Sequence, residues 1–473
     1  MVLDSNMADE PKMAPTTHAL DLLQGQAHEH ATASPTILTP APDRIPIYKI
    51  DMAMPAGERF TRLAKDFAPK IRRASPLFDE VVEMLFGKSL AGIAKFTSRF
   101  ALRKVFDPEQ TKEIKSIAAA AGIPSHLLVS LNVFLDMMLG CTSGAAFVKV
   151  GSKDQAGDNG PDRLLHFRTL EWGMDILREL LVIIEYVDTS TGSNEVITRS
   201  VTYAGFVGSL TGVRKGLSVS LNFRPVHECG TSSLLKHQLM VLLGLRESIP
   251  SMLRRILLNE NIPTKKPKVH DSKVINPHDN GEKLASITSI AKKLASVPAS
   301  PCYLTLCDGE QVMNVLKDLH SGKIKTSNLF QIQCNHDPDH DHCCGHKTTR
   351  RDANPAQAKI MGSEVWLEES EERQHALHEK WIDHIRAITR DADATWKARQ
   401  NGICQDIEIE AEVDDPIEMP GIGEAKLREW VSTYPTTNES THFMCIMDSL
   451  TGEIRWISRG PEPYRSHEAG SAV

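Results

Sequence analysis

Gly140, Cys141, Thr142 and Ser143 stand in a row where an apolar stretch of helical texture, LNVFLDMML, gives way to strand-like GAAFVKV. A cysteine does nucleophilic chemistry as its thiolate, which needs a base at hand. Neither hydroxyl neighbour can act as one. If the peptide bond between Gly140 and Cys141 is cut, Cys141 gains an α-amino group with a pKa of roughly 7.7–8.0, able to take the proton of its own thiol. The thiol can also make that cut, by attacking the preceding carbonyl, and Gly140 hinders the attack little. Taken alone, a cysteine behind a helix is more often a small buried hydrophobe.

A second concentration of reactive side chains lies in NHDPDHDHCCGH, residues 335–346, which holds His336, His340, His342, Cys343, Cys344 and His346. Imidazoles and thiols at this density suit zinc, with His340, His342, Cys343, Cys344 and His346 as the candidate ligands. The spacing departs from a C-x₂-C paired with a distant H-x₃-H, so a polar loop is the preferred reading. No cofactor is expected.

The elements around these residues follow from periodicity. IPIYKIDM alternates and reads as a strand, with Pro46 suited to an edge. GERFTRLAKDFAPKIRRA and SPLFDEVVEMLFG have helical spacing. DPEQTKEIKSIAAAAGIP begins with Asp107 as an N-cap and Pro108 just inside, and ends at Gly122. Ser125 opens a further helix expected to run to about Leu139. Beyond Cys141 come strands at LLHFRTLEW, LLVIIEYVD, VITRSVTYAGFVG and LSVSLNF, divided by turn signals that include LTGVRKG. Helices follow over roughly 231–260 and 281–297, then strands at SPCYLTLCDG and NLFQIQCNHD. Residues 364–400 read as a solvated amphipathic helix with mixed-sign pairs. HFMCIMD and IRWISRG close the chain as a hairpin. The order implies an α+β fold of sheets covered by helices.

The chain has 473 residues, net charge −7, 41% hydrophobic and 24% charged residues, and no apolar run long enough to span a membrane. No basic block points to nucleic acid. The nine cysteines are odd in number and none precedes Cys141. With no secretory signal evident, the expectation is a reduced, intracellular and cytoplasmic protein.

CTS at the head of a strand region, followed by HFRTLEWG, resembles the acid ceramidase and N-acylethanolamine acid amidase family, which are N-terminal nucleophile hydrolases of the choloylglycine hydrolase-like superfamily. RIPIYKIDMAMPAGERF and GIPSHLLVSLNVF upstream, and YAGFVGSLTGVRKGLSVSLNFRP, IQCNHD and TTRRDANPA downstream, are similar to segments of that family in the same order. The resemblance implies an αββα sandwich made as a precursor. A disordered tail would cover 1–43, a helical small-subunit-like segment 44–140, and the catalytic segment 141–473, with insertions near 260–280 and 360–424. It implies self-cleavage between Gly140 and Cys141, with Cys141 as nucleophile and, through its amine, base. Arg168 would line the thiol. Glu171, where the family has aspartate, would orient the amine. Asn335 would help form an oxyanion hole, and Arg350 would be a site arginine, with Arg351 its alternative. Asn222 and Phe223 occupy the place of a functional asparagine–glutamate pair, with phenylalanine in place of the acid. The implied activity is hydrolysis of the amide of an N-acyl lipid, ceramide first and N-acylethanolamines next, at a site that can contact a membrane surface. With no cysteine before Cys141, the two fragments would be held together non-covalently. A non-catalytic lipid-binding homologue of the same fold is the alternative.

Overall fold

In the computed structural model the described residues are 44–77, 99, 101–134, 140–150, 160–225, 227, 229–260, 262, 285–337, 363–391 and 419–462. The expected tail at 1–43, the helix at SPLFDEVVEMLFG beyond residue 77, the expected insertion near 260–280 for the most part, and the candidate zinc ligands lie outside them. Among the described residues thirteen strands form two sheets. The larger runs in the order β1 (Ile47–Asp51), β4 (Leu181–Val187), β5 (Val196–Tyr203), β6 (Thr211–Arg214), β7 (Leu217–Phe223), β8 (Cys302–Cys307), β9 (Val312–Lys317), β10 (Gly322–Ser327); the smaller runs β11 (Phe330–Gln333), β2 (Gly140–Val148), β3 (Arg163–Glu171), β12 (Thr441–Asp448), β13 (Glu453–Arg459). Among the ladders of these strands β1 and β4 pair in parallel and the rest are antiparallel.

The segment before Cys141 is built largely as its residue types demand. Helix α1 spans Thr61–Ala74 and α2 spans Pro108–Ala121. Asp107 accepts from the backbone N–H groups of Glu109 and Gln110, satisfying two of the donors a helix start leaves free. Gly122 closes α2 at φ +69°, a left-handed conformation that favours glycine. Helix α3 spans Ser125–Phe134. Asn132 ties it to the strand side, donating to Gly205 O at 2.9 Å and accepting from Val207 N at 2.8 Å. The same segment supplies β1, at the edge of the larger sheet, where Ile47 is in register with Ile183.

The sheets pack face to face, with β2 and β3 over β7. On β7 the polar residues Ser218, Ser220 and Asn222 point between the sheets, where they meet His166 and Ser143. The other face of the larger sheet is covered by α5 (Ile249–Leu257) and α6 (Ile287–Ser296), and α4 (Thr231–Leu242) precedes them. The outer face of the smaller sheet is covered by α7 (Ser363–Asp391) and α8 (Glu424–Ser432), with Phe167, Leu377, Trp381, Leu427 and Ile446 in a shared apolar core. The layering is therefore helix, sheet, sheet, helix, an α+β fold of the αββα kind. Gly144 permits the close approach of β11: a Cβ there would lie 2.2 Å from Gln331 O and 2.5 Å from the Phe167 ring.

Five elements differ from the sequence reading. The strand at the cysteine begins at Gly140, so Cys141 lies inside β2 rather than ahead of it. LTGVRKG is a short strand, β6, before it is a turn. Two strands, β9 and β10, follow β8 as a meander whose alternation is masked because β9 is buried on both faces. Helix α7 is only half solvated: Ser370, Arg373, Leu377 and Trp381 are all buried, because they recur on the one face that lies against the smaller sheet.

Charge anchors the first segment to the rest. Arg254 of α5 donates to Glu113 of α2 at 2.8 Å, and Arg59 adds a bond to Glu113 at 3.0 Å, with all three side chains buried. Burial alone would raise the Glu113 carboxyl, but Arg254 and Arg59 outweigh it and hold it below the usual range. A carboxyl depressed in the fold stabilises above its unfolded pKa and loses that contribution as pH falls through the folded value. Glu113→Ala takes the paired carboxylate from the buried Arg254 guanidinium, while Arg59 keeps Glu109, and is expected to cost about 3–5 kcal/mol in denaturant unfolding; a loss below about 1 kcal/mol would show the network to be dispensable.

Candidate active site

The fold brings Cys141, Arg168, Asn222 and Asn335 together at the seam between the sheets. In the β2–β3 register Ser143 lies opposite Arg168, so Arg168 emerges on the Cys141 face and reaches toward β7. Its Nη2 donates to Cys141 Sγ at 2.9 Å and to Leu221 O at 2.7 Å. Its Nη1 donates to Ser143 Oγ at 2.9 Å and to Asn222 Oδ1. One planar fork thus joins both sheets around the thiol, which a lysine, with a single point charge, would not do. Asn222 Nδ2 donates across the seam to Gln333 O at 2.8 Å.

The Cys141 nitrogen has its own partners. Its N–H donates to Asn335 Oδ1 at 2.7 Å, and Asn335 Nδ2 donates to Phe223 O at 2.9 Å. Asn335, expected to supply an oxyanion donor, thus presents its oxygen to Cys141 and its amide to a backbone carbonyl in the continuous chain. Phe223 takes part through that carbonyl, while its ring packs against the main core. Glu171 sits opposite Gly140, on the face of β3 away from Arg168. It is buried, neither carboxylate oxygen makes a hydrogen bond, and its nearest cation is Arg373 at 3.8 Å. Arg350 and Arg351 lie outside the described residues. Of the histidines and cysteines in the loop, His336 is described, and its Nδ1 is hydrogen-bonded with Ser370 Oγ at 2.8 Å. Among the described residues no group of three or more His, Cys, Asp or Glu side chains could hold a metal ion.

Arg373 is the site residue that sequence reading missed. Its Nε donates to Thr142 Oγ1 at 3.1 Å and its Nη2 to Asn335 Oδ1 at 3.3 Å. The available signal was its position in the helical period with Leu377 and Trp381, which places a charge in an apolar stripe.

The electrostatics of the site favour the protonated thiol. Burial pushes the Cys141 thiol up to about 12; Arg168 and Arg373 pull it down, and Glu171 pushes it up. Glu171 is itself raised by burial, with Arg373 and Arg168 opposing. The histidines nearby are poor candidates. His166, held between Ser218 and Ser220, falls to about 3 through burial and the neighbouring Arg168. His442, between Tyr203 Oη and Trp172 O, falls to about 3 through burial and Arg178.

The family model described as the beta subunit of N-acylethanolamine-hydrolyzing acid amidase matches residues 43–106. The acid ceramidase of Homo sapiens is 26% identical over 193 residues, 38% of this chain and 46% of that protein. The N-acylethanolamine-hydrolyzing acid amidase of Caenorhabditis elegans is 26% identical over 200 residues, 40% of this chain and 51% of that protein. An uncharacterized protein of Acanthamoeba polyphaga mimivirus is 26% identical over 229 residues, 47% of this chain and 59% of that protein. The chain spans about half the length of these relatives. The solved structure of the Caenorhabditis elegans N-acylethanolamine-hydrolyzing acid amidase ortholog covers 68% of this chain and 100% of its own, at 15% identity and a TM-score of 0.39.

A histidine whose folded pKa is depressed binds fewer protons than the unfolded chain between its folded value and about 6.5. It therefore costs stability as pH falls through that window. Glu171 and Glu260, both raised, act in the opposite sense, so the contribution of His166 has to be read as a difference. The stability advantage of wild type over His166→Gln should shrink as pH falls from about 6.5 toward 4, by up to about 1.4 kcal/mol per pH unit. Parallel stability–pH curves for the two proteins would contradict a neutral buried His166.

Proposed function

Given that the chain is a relative of the acid ceramidases and N-acylethanolamine-hydrolyzing acid amidases, we propose that it is a self-processing cysteine amidohydrolase of N-acyl lipids. Ceramide is the first candidate substrate and N-acylethanolamines the second. The observation that carries this reading is the treatment of one residue at both ends: Arg168 holds the Cys141 sulfur and Asn335 its nitrogen, at the start of a strand preceded by glycine.

In the precursor, Sγ attacks the Gly140 carbonyl. The S–C bond forms, the C–N bond breaks, and the Cys141 nitrogen leaves as an amine carrying the thiol proton. Water then hydrolyses the thioester and frees the sulfur. In the mature protein the amine takes the thiol proton, Sγ attacks the lipid amide carbonyl, and the amine of the substrate departs with that proton. Water releases the fatty acid from the thioester and restores the thiol. Arg168 steadies the developing thiolate, Glu171 orients the amine, and the Asn335 carboxamide, once the peptide bond is gone, is available to the oxyanion. The parallel ladder of β1 with β4 and the Arg254–Glu113 bond hold the fragments without a covalent link. Arg350 completes the site in this reading.

A non-catalytic lipid-binding homologue is the second reading, favoured by Phe223, whose ring stands where the resemblance puts an acid. The two separate on a denaturing gel with N-terminal sequencing. Wild type is expected as two fragments, the larger beginning CTSGAAF, and Cys141→Ala as one intact chain with amide hydrolysis reduced to background. A wild-type protein that stays whole while hydrolysing lipid amides would remove this mechanism.

A further inference from the structure

Helix α7 lies outside every segment that carried the resemblance, yet it delivers a buried cation to the nitrogen side of Cys141. Arg373 is buried with 1% of its surface exposed, and its guanidinium makes three contacts that all bear on that nitrogen. Nη2 donates to Asn335 Oδ1, the atom that also accepts from Cys141 N. Nε donates to Thr142 Oγ1, one residue on from the nucleophile, and lies 3.8 Å from Glu171. Two donors on Oδ1 fix which way the carboxamide faces, since a flip would set Nδ2 against two N–H groups. Ser370, one turn earlier on the same helix, accepts from Asn335 N at 2.8 Å, so α7 holds the backbone and side chain of Asn335 together.

We propose that Arg373 is a positioning residue of the reaction, which locks the Asn335 carboxamide toward the Cys141 nitrogen and balances the charge of Glu171 beside it. The inference rests on the amidohydrolase reading. A glutamate is one methylene longer than the aspartate the resemblance implies, and its carboxylate is buried, with Arg373 3.8 Å away. A carboxylate so placed, facing a free α-amine without a second cation, would hold that amine as ammonium and disable it as a base. The guanidinium opposes that bias and so favours the neutral form of the Cys141 amine.

The charged and titratable groups around Cys141 are Arg168 and Glu171 from β3, Arg373 from α7, Tyr203 from β5, Cys334 beyond β11 and Cys445 from β12. Arg168 serves the sulfur; Arg373 is the cation whose contacts bear on the nitrogen and Glu171. Arg373 removal therefore raises the amine pKa and moves the acid limb of the kcat/KM profile to higher pH, by about one unit. Glu171→Gln moves it to lower pH.

The test uses the full chain with a short-chain N-acylsphingosine and an N-acylethanolamine in mixed micelles, following processing by intact mass and kcat and KM against pH. Arg373→Gln is expected to lower kcat about tenfold or more, change KM less than threefold, and shift the acid limb up. Arg373→Lys keeps the charge without the fork; it should leave the limb near its wild-type position while kcat still falls. If Arg373→Gln does not fold, Arg373→Gln with Glu171→Gln removes both buried charges, and it should fold, show a near wild-type limb and still lose kcat. A wild-type pH profile and kcat in Arg373→Gln, or in the double variant, would overturn the proposal and leave the amidohydrolase reading standing. A wild type that neither processes nor hydrolyses either lipid would overturn both.

Discussion

The molecule turns on a guanidinium placed where two sheets meet. Arg168 is fully buried, and it donates to acceptors on β2 and β7 as well as to the Cys141 sulfur. Burying such a charge is costly unless its donors find acceptors and its surroundings are fixed. The inner faces of the sheets meet that demand at the two terminal nitrogens, Nη1 and Nη2, while Nε is buried without a hydrogen-bond partner among the described residues. β7 turns Ser218, Ser220 and Asn222 inward, and β2 and β3 answer with Ser143 and His166. The seam is polar around Arg168 and His166, flanked by apolar contacts such as Ala145 and Leu164 against Cys307 and Val312, and further apolar cores lie between the sheets and their helices.

That arrangement accounts for a thiol kept in reserve. Cys141 has no exposed surface, and burial raises its pKa to about 12 although Arg168 touches it. His166 and His442 are neutral and bonded elsewhere, so neither is placed to take its proton. In the proposed reaction the base is the nitrogen of the same residue, which Asn335 holds and which Glu171 and Arg373 flank.

Much of this was legible in the chain. Asp107, Pro108 and Gly122 bounded a helix because capping is local chemistry, and β3, β4, β7 and the last hairpin were readable from β-branched runs between turns. What could not be read is instructive. LSVSLNF alternates, which normally signals one face toward water; here the polar face meets the other sheet, and nothing within seven residues records that. Cys141 was readable as a site through its glycine and its context, and Arg168 and Asn335 through resemblance. Arg373 was not, because a helix rich in Glu, Lys and Arg conceals one buried arginine among many exposed charges. Its role depends on partners 231 and 38 residues away, which only tertiary structure brings together.

The central claim is that Cys141 carries the acyl group between the lipid amide and water. Acid-quenched mass spectrometry of the protein during turnover of an N-acyl lipid tests it most directly. The account predicts a fatty-acyl adduct, labile to hydroxylamine as a thioester is, on the fragment whose first residue is Cys141. An adduct on another residue, or undiminished turnover by Cys141→Ala, would contradict it.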